Sequence, residues 1–225
     1  MWGGVAARLA GVPCVLSRRV DNPEAPWIVR LKYRLYDHVI AISEGIRQVL
    51  LAEGLAPERV TCVRSAVDAA PYLVDYDKAG FRARLGLAPE TPVAGMVAQL
   101  IPRKGHRYLL AALENVLPRH PTLRVLIFGR GPLEAELARA IDERDLSAQV
   151  SMMGFVDNLP AILGCLDLLL HPADMEGLGV SLLQAAAARV PIIASRAGGM
   201  PEVVRDGENG LLIAPGDVAG LANAM

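Results

Sequence analysis

Residues 171–204 read HPADMEGLGVSLLQAAAARVPIIASRAGGMPEVV, and the architecture of the chain becomes readable here first. The stretch follows an apolar run over 166–170 whose single charge is Asp167, the pattern of a buried strand in a parallel sheet. A turn carrying one acid comes next, Glu176-Gly177-Leu178-Gly179. It gives way at Val180 to a segment over 180–188 whose alanine and leucine content favours helix. Strand, glycine-containing turn and helix start, in that order, present free backbone N–H groups to an anion, usually a phosphate. An ordinary β–α crossover with glycines serving only the turn has the same order, so the stretch by itself leaves both readings open.

Outward from this stretch, strands and helices alternate regularly from Thr91 onward. Strands are expected over 93–97, 124–128, 150–153, 166–170, 192–194 and 211–213, with helices over 105–117, 133–144, 159–163 and 180–189 between them. Six such strands make a complete doubly wound α/β domain, and ligands of these sheets bind outside the carboxyl ends of the strands. The unusual residues cluster at those ends. After the first strand come Ala98-Gln99-Leu100-Ile101-Pro102-Arg103-Lys104-Gly105-His106, after the second Gly129-Arg130-Gly131-Pro132, and after the third Gly154-Phe155-Val156. A dinucleotide fingerprint would need a third glycine where Glu134 stands, and at the start of a domain, which argues against NAD. Phe155 reads equally well as core. His171 reads as packed at its strand end, and His38 and His120 have no acidic or nucleophilic companion for a triad.

The first 65 residues alternate in the same way but supply only three strands, over 12–16, 37–42 and 60–63. Helices are expected over 3–10, over 27–36 with Arg30, Lys32 and Arg34 on its polar side, and over 44–53, where Ser43 is the cap and Gly54 lies just past the end. Three strands are half of a nucleotide-binding sheet and leave an open edge. Residues 66–90 read as a linker leading into the domain over 91–225, with a helix over 79–85. Asp75-Tyr76-Asp77 in this linker has the Asp-x-Asp form used to hold divalent cations. That motif works at a strand end beside a nucleotide, so here a solvated acidic pair is the better reading.

Composition agrees with a globular chain: 52% hydrophobic and 21% charged residues over 225 positions, with a net charge of −1. This balance gives no case for nucleic acid, which would require a strong basic excess. Three cysteines, Cys14, Cys62 and Cys165, lack any paired spacing suited to zinc and read as buried thiols in a reducing, cytoplasmic compartment. No apolar run approaches the ~20 residues needed to span a bilayer.

The order of an acid, seven residues, a second polar residue at the helix start, a strand over 191–195 and the turn Gly198-Gly199-Met200-Pro201-Glu202 resembles the retaining glycosyltransferases of family four. VPCVLSRRVDNP, DHVIAISEGIRQVL, VTCVRSAVDAAPY and the turn Asp206-Gly207-Glu208-Asn209-Gly210-Leu211-Leu212 extend the likeness. Two positions depart from the pattern: Gln184 stands where the family has a second acid, and Gln99 where it has an arginine. The resemblance implies a GT-B fold of two Rossmann-like doubly wound domains, the first incomplete. It implies that further chain precedes Met1 and follows Met225, so that this sequence is a portion of a longer enzyme.

For function, the resemblance implies transfer of a sugar from a nucleotide-diphosphate donor to a glycan or lipid-linked acceptor with retention of configuration. It calls for no metal and no cofactor beyond the nucleotide sugar. Glu176 takes the catalytic position, accepting hydrogen bonds from sugar hydroxyls. The donor is implied to lie against Gln99, Arg103, Lys104, Gly129, Gly131, Val156, Gly177, Leu178, Gly179, Val180 and Gln184. Within that set Lys104 neutralises the diphosphate, Arg103 compensates for the charge missing at Gln99, the backbone at Val156 reads the base, and Gln184 bonds the ribose. The basic residues of the N-terminal part imply peripheral contact with a membrane surface. A second reading stays open, a module derived from such an enzyme that binds nucleotide or a partner without turnover.

Overall fold

The computed structural model describes residues 2–225 and holds two wholly parallel sheets. The first places β1 (Val15–Arg18), β2 (His38–Ala41) and β3 (Val60–Cys62) side by side in that order. The second contains β4 (Val93–Val97), β5 (Arg124–Phe128), β6 (Val150–Gly154), β7 (Leu168–His171), β8 (Ile192–Ser195) and β9 (Gly210–Ile213) in the spatial order β6-β5-β4-β7-β8-β9. The direction of winding therefore reverses between β4 and β7, and a crevice opens beyond their carboxyl ends.

The connections are helical: α1 (Trp2–Ala10), α2 (Pro26–Lys32), α3 (Glu44–Ala52), α4 (Lys78–Arg84), α5 (His106–Val116), α6 (Glu134–Glu143), α7 (Pro160–Leu163), α8 (Val180–Ala187) and α9 (Val218–Ala224). Successive strand residues face opposite sides of the sheet, and the cores follow that period. Ala94, Met96, Val125 and Ile127 pack with Leu109 and Leu113 of α5, Leu137 and Ile141 of α6, and Leu221 of α9. Val93, Leu126, Phe128 and Leu169 belong to the other face, with Leu182 and Ala185 of α8. This second core continues through Leu178 into Ile46, Leu50 and Val39, so the two sheets share one buried apolar cluster.

Most boundaries fall within two residues of those expected from the sequence, and the larger shifts have local causes. β1 begins at Val15 rather than Val12 because Pro13 has no N–H to give a ladder, and the Cys14 N–H donates to Asp37 Oδ2 at 2.7 Å. β7 begins at Leu168 because Asp167 is occupied at the amino end of this central strand, its Oδ2 accepting from Val93 N at 2.8 Å and from Arg82 Nη2 at 2.6 Å. Arg82 lies on α4, inside the expected linker, and is buried against the second sheet, where it also donates to the carbonyls of Thr91 and Cys165. Asp77 caps α4 by accepting from Gly80 N at 2.8 Å, and Tyr76 between the two aspartates packs over Gly164. The helix expected over 27–36 ends at Lys32 and finishes in a 3₁₀ turn, Tyr33–Leu35. α3 is capped by the Ser43 hydroxyl, which accepts from Ile46 N at 3.0 Å, and Gly54 follows its end with φ +91°.

Candidate functional site

A cleft of roughly 550 Å³ lies beyond the carboxyl ends of β4, β5 and β6, with the first turn of α8 as its far wall. Gln99, Gly129, Val156, Val180 and Gln184 line it together, five residues drawn from four separate stretches of sequence. The glycines make this possible by letting loops touch. A Cβ on Gly129, where φ is +141°, would come 1.9 Å from Ala98 O, and one on Gly131 would come 2.4 Å from Leu100 O. Leu100 N donates to Arg130 O at 3.0 Å across the same contact. Gly131 thus holds the two loops together from behind and does not line the cleft.

Sequence reasoning missed two contributors to this cleft. Phe155 is 56% exposed, so the reading of it as core is corrected: its ring stands at the cleft wall. The Arg130 guanidinium lies 5.4 Å from that ring's centroid, within cation–π range, and both line the cleft. Polar groups in the cleft are few, Gln99, Gln184 and Arg130, against apolar walls from Val97, Phe128 and Leu159. That is the make-up of a site for a flat heteroaromatic ligand with a small number of hydrogen bonds.

Glu176 sits beside the cleft on the loop after β7, and its carboxylate is surrounded by basic groups. Oε2 accepts from both Lys104 Nζ and His171 Nε2, the latter at 3.0 Å, while Oε1 accepts only from its neighbour Gly177 N at 3.2 Å. Burial alone would raise the Glu176 pKa. The His171 hydrogen bond and the Lys104 charge outweigh it and take the carboxyl from an ordinary 4.5 down to about 2. Lys104 is itself 8% exposed, so the ammonium assigned to a diphosphate is, in this state, the counter-ion of Glu176. His171 is packed at the end of β7 as read from sequence, and in addition it touches the acid. His106 at the start of α5 is buried beside them, and burial, then His171 and Lys104, lower its pKa to about 4, leaving it neutral near pH 7. No spacing rule links these four residues. The one signal for His171 was its place at a strand end five residues before the acid.

The loop carrying Glu176 is pinned by the glycines around it. Gly179 has φ +89° and starts α8 with no side chain capping it; its carbonyl accepts from Leu182 N at 3.0 Å, which leaves the N–H groups of Val180 and Ser181 as the uncapped donors of the first turn. Leu178 is buried, 2% exposed, with its side chain in the core that joins the two sheets, so the expectation that it lies against the donor is corrected: it does not line the cleft. A Cβ on Gly177 would come 2.8 Å from Arg19 O, on the loop after β1. Gly198, at φ +55°, would bring a Cβ 2.0 Å from Glu176 O, and Gly199 N donates to that carbonyl at 3.0 Å.

Two ion pairs cross from this region to the first sheet. Glu202 accepts from Gly45 N at 3.0 Å, near the start of α3, and from Arg64 Nε at 2.7 Å. Arg103 Nη1 lies 3.0 Å from Oδ1 of the buried Asp21. The expectation that Arg103 compensates for Gln99 is corrected by this pair: its side chain is turned to Asp21 and does not line the cleft.

Comparison with known proteins follows from this geometry. A 2-deoxystreptamine glucosyltransferase of Streptomyces kanamyceticus is 31% identical over 249 aligned residues, covering 99% of this chain and 63% of that protein. A D-inositol 3-phosphate glycosyltransferase of Nocardia farcinica is 32% identical over 200 residues, 84% of this chain and 44% of its own length. The solved structure of Anabaena Alr3699/HepE in complex with UDP-glucose superposes with a TM-score of 0.89 at 26% identity, covering 98% of this chain and 64% of that one. Sucrose-phosphate synthase from Thermosynechococcus elongatus, at 23% identity and a TM-score of 0.81, has the same fold. The chain spans less than two thirds of the length of each of these proteins. The sequence profile described as Glycosyl transferases group 1 matches residues 77–225, the part that holds the whole six-stranded sheet, the cleft and Glu176. By that match and these neighbours, the chain has an α/β fold of the GT-B type and belongs to the glycosyl transferases group 1.

Proposed function

We propose that this chain carries the donor site of an enzyme that transfers a sugar from a nucleoside diphosphate to a glycan or lipid-linked acceptor with retention of configuration. One observation carries the reading. Gln99, Gly129, Val156, Val180 and Gln184 converge on a single apolar cleft at the strand-order reversal, with Glu176 beside it. The base and ribose occupy that cleft, with the base against the Arg130–Phe155 surface and the ribose hydroxyls on Gln184. The diphosphate lies at the free N–H groups that open α8, within reach of Lys104. Glu176 takes hydrogen bonds from the sugar through Oε1. With the leaving diphosphate stabilised and the sugar fixed, the acceptor attacks from the leaving-group face. This scheme asks the protein for charge and position and requires no metal ion and no cofactor.

The acceptor and any membrane surface are assigned to the N-terminal part. Trp27 and Leu31 on α2 are exposed, as are Arg30 and Arg34, a combination suited to a headgroup layer. No helix among the described residues is long and apolar enough to cross a membrane.

Calorimetry with UDP, GDP and the matching monophosphates tests the donor site. The diphosphate is expected to bind more tightly, and Lys104→Ala to weaken it by about 1–3 kcal/mol, the value of a hydrogen bond to a charged group. Equal affinities for mono- and diphosphate would remove the phosphate assignment. The second reading, binding without turnover, draws on Gln99 and Gln184, two neutral residues in the positions where the resemblance puts charges. Transfer of the sugar from a nucleotide sugar to an acceptor, with release of the nucleoside diphosphate, separates the two.

A further inference from the structure

The two donors on Glu176 Oε2 are unlike each other. Lys104 is a point charge on a flexible four-carbon stem, on a turn that the donor's diphosphate is proposed to approach. His171 is the last residue of β7, 1% exposed, and its backbone is held in register opposite Ala194 of β8. The carboxylate can only accept, so His171 Nε2 carries the hydrogen in this contact. Its Nδ1 is buried without a partner, and both nitrogens of the adjacent His106 are likewise unpaired. Among the described residues nothing else competes with Glu176 for the His171 proton.

These observations acquire a purpose if the donor site is as proposed above, on which this step rests. A diphosphate that engages Lys104 withdraws one of the two bonds that orient Glu176 at the moment the sugar arrives. We propose that His171 is a positioning residue, whose Nε2–H keeps the Glu176 carboxylate aimed at the donor sugar once Lys104 has turned to the diphosphate. Oε2 stays anchored to a strand end, and Oε1, restrained only by Gly177 N–H, faces the sugar hydroxyls. His171 touches neither nucleotide nor sugar in this arrangement and acts through Glu176 alone.

The test compares UDP with UDP-glucose, titrated calorimetrically into the 225-residue chain and into His171→Asn and His171→Gln. The glutamine amide nitrogen stands close to where Nε2 stood and can still donate to Glu176; the shorter asparagine cannot. The readout is the affinity of UDP-glucose relative to that of UDP, because the demand of the diphosphate on Lys104 is common to both ligands and only UDP-glucose carries a sugar for Glu176 to hold. UDP-glucose affinity relative to UDP is expected to fall by about tenfold in His171→Asn and to stay within about threefold of wild type in His171→Gln, as loss and retention of one charge-assisted hydrogen bond require. An unchanged ratio in His171→Asn, or an equal loss in both variants, would overturn the positioning role while leaving the donor site standing. A wild-type chain that binds neither UDP nor GDP would overturn the donor site and this role together. If His171→Asn does not fold, the wild type decides. The His171 Nε2 proton, followed by NMR, should remain protected from solvent exchange when UDP-glucose is added, and its becoming labile on donor binding would refute the role.

Discussion

Replacing Glu176 by glutamine keeps the shape of the side chain and removes its charge, and the cost can be worked from the site. The carboxyl is about 2 in the folded chain against an ordinary 4.5, and its side chain is only 15% exposed, so solvent screening takes little from the shift. At 1.36 kcal/mol per pKa unit this difference corresponds to about 3 kcal/mol of stability at pH 7. The sign follows from the depression: stability is fully present above 4.5 and is lost as pH falls through the window toward 2. At pH 3 about 1 kcal/mol should remain. Other carboxylates lowered in the fold, Glu24 and Asp206 among them, also lose stability in acid in both proteins, and His106 does so at higher pH, as the pH falls from 6.5 toward about 4. The quantity to follow is therefore the difference in urea unfolding free energy between wild type and Glu176→Gln. It should shrink by about 2 kcal/mol between pH 7 and pH 3. Parallel curves across that interval would mean that the Lys104 and His171 contacts do not hold the carboxylate in solution.

Gly198→Ala should destabilise the chain by about 2 kcal/mol or more in the same assay, since the added methyl meets Glu176 O and the backbone at φ +55° disfavours it; a neutral effect would refute the close packing of the two loops. Gln99 and Gln184 line one cleft, so their effects on UDP affinity should couple: Gln184→Glu alone neutral or harmful, Gln99→Arg with Gln184→Glu the tightest binder, and additivity within about 0.5 kcal/mol evidence against a shared ligand. Amide hydrogen exchange should be faster in β1, an edge strand with Val15 55% exposed, than in β4 and β5 at the centre of the second sheet. Equal protection would contradict the open edge.

The second sheet was legible because its signals are local. β4 and β5 occupy the residues that their apolar runs predict, and each is followed by a glycine or basic turn whose chemistry marks the strand end. The misplaced strands are those whose ends are settled by distant partners. Asp167 looked like a strand residue with an odd charge, and only the fold shows that it receives Val93 N and Arg82 from 74 and 85 residues away. The same distinction divides the site. Gln99, Gly129 and Val156 follow the ends of β4, β5 and β6, Val180 opens α8 with Gln184 one turn further on, and residues at the strand ends of such a sheet converge. Side-chain direction is not fixed by that rule, which is why Arg103 points to Asp21 while Lys104, one residue on, points to Glu176. The pairing of His171 with Glu176 depends on how the loop over 172–176 folds back, and nothing in the order of its residues specifies that return.

The turn Gly198-Gly199-Met200-Pro201-Glu202 joins these strands of reasoning. Its two glycines leave room for the backbone of the Glu176 loop, with Gly199 N bound to Glu176 O, while Gly198 O and C face Gly45 on the first sheet's helix α3. Three residues on, Glu202 receives the N–H of Gly45 and the guanidinium of Arg64, a negative charge at the positive end of α3. The loop that carries the acid is therefore gripped from the other side by the element that binds the two sheets together. Asp21 and Arg103 add a second tie, with Arg103 one residue from Lys104. A displacement of the first sheet against the second has to strain or break Glu202–Arg64 and Asp21–Arg103, and each lies one short segment of backbone from a partner in the Glu176 cluster. The loop that carries the acid and the contacts that join the two sheets are thus built from the same short segments of chain, 198–202 on one side and 103–104 on the other.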